Sequence, residues 1–128
     1  MEIKQLESTQ GFVIYDLPGA DAYVGPSRLG AKLVPGNAET LVRHQTYMFA
    51  LTGQRKSGAT IGLKVDPKEV EAAVASLASE LAEEFVSQRL LTSPGLRLDR
   101  TSLEPVLRHD NRNPVTREDR DGVTFDRE

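Results

Sequence analysis

Five basic side chains near the ends of apolar segments are the first candidates for chemistry: Arg28, Lys32, Arg55, Lys56 and Lys64. Basic groups at such boundaries can line a cleft, and an arginine fork matches a carboxylate through two parallel hydrogen bonds. A solvated basic rim is the plain alternative. Other chemistries find less support. His44 and His109 each lack a second histidine one turn away, so no zinc site is expected. His44 reads as a boundary histidine within a helix and His109 as a solvated one. Asp110, Asp119 and Asp121 lack the spacing and the final Glu of a calcium loop. The stretch Gly25-Pro26-Ser27-Arg28-Leu29-Gly30-Ala31-Lys32 departs from a phosphate loop, because Ala31 separates the second Gly from the Lys and Leu33 follows. No G-x-G-x-x-G is present, so dinucleotide binding has no motif support. With no Cys, disulfides, thiolate ligands and cysteine nucleophiles are excluded together.

The elements that must position these residues come next. Residues 11–17 are β-branched and aromatic and end at Leu17-Pro18-Gly19, which predicts a strand and a turn. Residues 20–24 and 28–34 read as two short strands broken at Gly25-Pro26. The short connections predict an antiparallel meander. Asn37 is the expected cap of a helix over residues 38–52 that stops at Gly53. Leu41, Met48 and Leu51 share one of its faces, with Val42 and Phe49 beside them. Residues 59–65 form a further apolar strand. Asp66-Pro67-Lys68-Glu69 resembles a capping box, and Val70, Ala73, Val74, Leu77, Leu81, Phe85 and Val86 then recur at spacings of three and four. That predicts one amphipathic helix ending near Leu91. Residues 96–98 read as a last short strand. Eleven of the 21 residues from 108 to 128 are charged, so this segment cannot bury much area and reads as a polar tail. The domain itself is expected over residues 1–107.

Length and composition bound the function. A chain of 128 residues suits one domain, whereas a dinucleotide-binding domain alone takes roughly 150. Hydrophobic residues make up 38% and aromatics 5%, which gives a modest aliphatic core. A net charge of −3 argues against nucleic-acid binding driven by bulk electrostatics. No run approaches the roughly 18 apolar residues of a membrane span. The first residues lack a basic region followed by an apolar run, so no signal peptide is expected. A cytoplasmic location is the expectation.

Three segments together resemble one family. Gly25-Pro26-Ser27-Arg28-Leu29-Gly30-Ala31-Lys32 is similar to the G-P-x-(K/L)-G-G-x-R segment of the glutamate/leucine/phenylalanine/valine dehydrogenases. Gln45-Thr46-Tyr47-Met48-Phe49-Ala50-Leu51 is similar to that family's M-T-Y-K-x-A-L helix. Ser57-Gly58-Ala59-Thr60-Ile61-Gly62-Leu63-Lys64-Val65-Asp66-Pro67 is similar to its G-G-A-K-G-G-I-x-x-D-P loop. The resemblance covers residues 11–91 and points to the amino-terminal dimerisation and substrate domain. It implies an α/β (α+β-like) fold: a mixed sheet that starts antiparallel, packed by two main helices.

The resemblance also implies a site and its losses. In such enzymes one lysine holds the α-carboxylate of the amino acid, and another, of lowered pKa, assists proton transfer. By position these correspond to Met48 and Thr60, and neither can do that work. No catalytic residue is therefore assigned. Arg28 falls where glutamate-specific members carry a lysine for the side-chain carboxylate, and Lys32 falls where the family has arginine. The implied substrate-binding set is Arg28, Lys32, Met48, Gly58 and Thr60. Asp99 is a weak match to the family's later acid and receives no role. The expectation is a stand-alone, catalytically degenerate dimerisation domain, a homo-oligomer or partner binder that is inactive alone. It binds no metal and no cofactor itself. NAD(P) would enter only with a separate Rossmann-domain chain, as in a split amino-acid dehydrogenase. A small carboxylate sensor using Arg28 and Lys32 is the third reading.

Overall fold

The fold is built around one strand of alternating size. A computed structural model describes residues 1–112; the side chain of Asn37 and residues 113–128 lie outside the description. Strand β4 (Lys56–Leu63) is buried from its second residue to its last. Ala59, Ile61 and Leu63 face one side, and Gly58, Thr60 and Gly62 face the other, as the two-residue strand period requires. Strands β1 (Glu2–Gln5), β2 (Gly11–Tyr15), β3 (Ala22–Leu29) and β5 (Leu90–Pro94) complete a sheet of order β1-β2-β4-β3-β5. The β1–β2 and β2–β4 pairs are antiparallel, and β3 pairs in parallel with both β4 and β5. The sheet is thus mixed and starts antiparallel, as the resemblance implies.

The expected meander is overturned in its second half. The link between β2 and β3 is short, yet β4 lies between them. A short link does not force two strands to be neighbours when a later strand can enter the gap. The break at Gly25-Pro26 is also corrected, because β3 runs through both residues. The β3–β4 register holds at Val24 opposite Gly58, resumes at Ser27 opposite Ile61, and has no pair between. Pro26 has no N–H to give a ladder, and this gap accommodates that lack. A Cβ on Gly25 would lie 1.5 Å from the Ala59 carbonyl oxygen, so only glycine fits this approach. Strand β1 escapes a hydrophobic reading because Ile3 is its single apolar residue.

Helix α1 (Glu39–Leu51) covers one face of the sheet, and helices α2 (Val70–Glu80), α3 (Ala82–Val86) and α4 (Glu104–Leu107) lie on the other. The larger core joins Val13, Leu29, Ile61 and Leu63 to Val74, Leu77, Leu81, Phe85 and Leu103. Each fully buried leucine here contributes about 2 kcal/mol. The smaller core is Phe12, Ile14, Ala38 and Val42. The helix expected as one piece to Leu91 is three pieces. A 3₁₀ turn spans Pro67–Glu69, α2 and α3 break at Leu81, and Gln88 at φ 65° ends the run. Leu90 and Leu91, read as the end of that helix, belong instead to β5. The Asp66 side chain makes no cap hydrogen bond, so the capping box does not form. Asn37 belongs to a 3₁₀ turn, and Ala38 occupies the cap position of α1. Gly53 does follow α1 with φ 74°. Residues 96–98 form a turn, with the Leu98 N–H on the Gly95 carbonyl, and not a strand. Of the expected tail, Asp110 is buried and accepts from Arg112 Nε on Oδ1 and from Nη2 on Oδ2. Asp119, Asp121 and the rest of the tail beyond 112 fall outside the described residues.

Candidate functional site

Arg28 sits near the end of β3, opposite Gly62 of β4. Tyr23 and Leu29 pack into the larger core, so Val24, Pro26 and Arg28 take the α1 face of the sheet by alternation. Thr60 shares that face. Its hydroxyl donates 2.8 Å to the Pro26 carbonyl, in the gap of the β3–β4 ladder. The residue is 1% exposed. Thr60 thus closes the ladder where proline cannot, and its oxygen is held by the backbone.

Gly58 and Thr46 dock α1 onto β4. A Cβ at Gly58 would lie 2.0 Å from the Val42 carbonyl oxygen, so helix and strand meet there without a side chain. The Gly58 N–H donates 2.7 Å to the Thr46 hydroxyl, which in turn donates to the Val42 carbonyl at 3.2 Å. Thr46 was not singled out from sequence, although it stands in the quoted helix segment. The face of α1 that meets the sheet carries Val42 and Thr46. Tyr47, Met48 and Leu51 point outward, at 62%, 47% and 62% exposure. Of the face shared by Leu41, Met48 and Leu51, only Leu41 is half-buried. His44, expected at a boundary, is exposed, and His109, expected to be solvated, is half-buried.

The five basic residues do not converge. Arg28 and Lys64 belong to one end of the parallel β3–β4 pair, and Arg55 and Lys56 to the other, six residues or about 20 Å away. Lys32 is exposed in the loop after β3. Arg55 pairs loosely with Asp21 at 3.9 Å, and Lys56 lies 5.9 Å from the Phe49 ring centre. Arg28 differs from all of them. Its Nε and Nη2 are shut off from solvent and have no hydrogen-bond partner. Such groups carry a desolvation cost of roughly 1–3 kcal/mol, more when charged. These two atoms form one edge of the guanidinium, the edge that receives both oxygens of a carboxylate. Asp99 holds the following turn instead, accepting from the Ser102 N–H at 2.8 Å and the Ser102 hydroxyl at 2.9 Å. Those bonds keep its carboxyl below the usual range. Among the described residues no cluster of three or more His, Cys, Asp or Glu is placed to hold a metal, and no helix is long and apolar enough to cross a membrane.

This arrangement of sheet and helices is that of a domain found in amino-acid dehydrogenases. The hetero-hexameric glutamate dehydrogenase of Thermus thermophilus, in a leucine-bound form, matches 91% of the chain at TM-score 0.65 and 22% identity. Glutamate dehydrogenase of Peptoniphilus asaccharolyticus matches 80% at TM-score 0.65 and 14% identity, and L-tryptophan dehydrogenase of Nostoc punctiforme 84% at 0.60 and 11%. The chain spans 27%, 27% and 34% of those proteins. No protein-family model and no curated protein matches the sequence. At these identities the likeness defines the fold.

Proposed function

We propose that this domain is a catalytically degenerate relative of the amino-acid dehydrogenase substrate domain, and that it acts by self-association or partner binding. The observation that carries this reading is Thr60. At the position that the resemblance gives to the proton-transfer lysine stands a buried hydroxyl held by Pro26. Met48, at the position of the carboxylate lysine, is uncharged and faces outward. Proton transfer near neutral pH needs a group that titrates there, and neither side chain does. The fold around them is intact. The outward row of Tyr47, Met48 and Leu51 on α1 supports association, since aromatic and Met side chains are favoured in interface cores. Size-exclusion chromatography with light scattering tests it. A discrete oligomer at micromolar concentration is expected, and Tyr47→Glu with Leu51→Glu should give a folded monomer.

Arg28 supports a second reading, a carboxylate-ligand sensor. The unpartnered guanidinium edge matches a carboxylate, and a ligand must displace the groups that cover it to reach it. A ligand that binds the native state raises the melting temperature by mass action. A panel of keto and amino acids at millimolar concentration should raise it for the wild type and not for Arg28→Met. A flat melting temperature across the panel rejects this reading.

A further inference from the structure

The opposite face of the sheet carries a cavity of about 400 Å³ that shares no residue with the Arg28–Thr60 surface. Its walls are Tyr15 at the end of β2, Tyr23 at the start of β3, Glu2 and Lys4 of β1, Glu84 of α3 and Arg89. The two rings meet across β4 because Ala59, opposite Tyr15, is small. Their centres are 4.9 Å apart at 77°, an edge-to-face pair. Among the described residues, no hydrogen bond or ion pair holds either phenol, either carboxylate, the Lys4 ammonium or the Arg89 guanidinium. A site of this volume, with an aromatic floor and a few unpaired polar groups, suits a small ligand.

Charge is not spread evenly around it. Glu2 lies directly opposite Tyr15 in the β1–β2 register, and Glu84 comes over it from α3. Burial first, then Glu84 and Glu2, push the Tyr15 phenol up to about 12, against a smaller opposing effect of Arg89. The phenol therefore stays a neutral donor and acceptor, with both carboxylates near it. Glu2 and Arg89 are both exposed at the rim, and Glu84 is half-buried. Lys4 acts on Glu80. Aromatic rings attract cations, most strongly where water is excluded, and two carboxylates add to that attraction.

We propose that this cavity binds a small organic ammonium ion, its cationic head at Tyr15 between Glu2 and Glu84 and its apolar part along Tyr23. Two sources share this chemistry: a simple amine, and a zwitterion whose carboxylate reaches Arg89. The test is titration of the full chain with n-butylammonium chloride, followed by amide NMR in phosphate buffer, since amine buffers would compete. Saturable shifts centred on Tyr15, Tyr23 and Glu84 are expected. Glu84→Gln and Glu2→Gln, each checked for a native spectrum, should each weaken binding by about tenfold, the loss of one charge-assisted contact. Sodium butyrate should produce no such shifts. Norvaline adds a carboxylate to the same amine. Tighter binding than butylammonium identifies the zwitterion as the source, weaker binding the simple amine, and each result supports the ammonium site. The proposal is overturned if butylammonium gives no saturable shift, if butyrate reproduces its shifts, or if both Gln variants bind as tightly as the wild type.

Discussion

Thr60 holds a structural role at the centre of the sheet. Its hydroxyl satisfies the Pro26 carbonyl within a buried sheet, so removing it leaves an acceptor without a partner. Thr60→Val, which keeps the shape, should lower unfolding free energy by about 1–2 kcal/mol in urea denaturation. Thr60→Lys should be far more damaging, because it forces an ammonium into an apolar layer. The sequence made the substitution legible through the segment Gly58-Ala59-Thr60, but not its consequence. Nothing in local spacing says that Pro26 of an earlier segment lies across from Thr60. The same limit applied to Arg28. Its residue type suggested a carboxylate partner; the burial of its Nε and Nη2, which separates it from four ordinary surface cations, came only with the fold.

Elements were legible where one face alone is buried and less so where topology decides. The periodic apolar positions of α2 and the Gly53 stop of α1 follow from local rules. The break at Leu81 and the strand at 90–94 do not, because a buried apolar run of that length suits a helix or a strand equally. For α1 the contact face is set by β4. Gly58 admits the helix backbone, which turns Val42 and Thr46 inward and leaves Met48 out. Gly58→Ala should therefore separate α1 from the sheet and cost at least about 2 kcal/mol in the same denaturation experiment. At the other side of the sheet, Glu80 of α2 ties down the β1–β2 connection. It accepts from the Ser8 hydroxyl at 2.6 Å, the Ser8 N–H at 2.9 Å and the Glu7 N–H at 2.9 Å. The Ser8 hydroxyl first, then these backbone N–H groups, hold its carboxyl below the usual glutamate range. A carboxyl depressed in the folded state stabilises fully above its unfolded pKa, and that stabilisation is lost as pH falls through the folded value. Stability should thus decline on acidification from the ordinary glutamate range downward. Glu80→Gln should start lower at neutral pH and show a shallower acid decline in a series of denaturation curves.

At the scale of the whole molecule, the fold is that of a domain found in amino-acid dehydrogenases, and Thr60 and Met48 stand where the resemblance places two lysines. Amino-acid dehydrogenation needs both a proton-transfer group and a hydride acceptor. On the proposed reading, Thr60→Lys combined with Met48→Lys is expected to give this chain no turnover of amino acids with NAD(P). What the surface does offer is the apolar row of α1, held rigidly by the Gly58 contact below it. Association is the property that this geometry supports most directly, and light scattering on size-exclusion fractions reads it without a ligand. A discrete oligomer at micromolar concentration is expected, and it should become a folded monomer with Tyr47→Glu and Leu51→Glu. A wild-type chain that is strictly monomeric there, and that captures no partner, would contradict it.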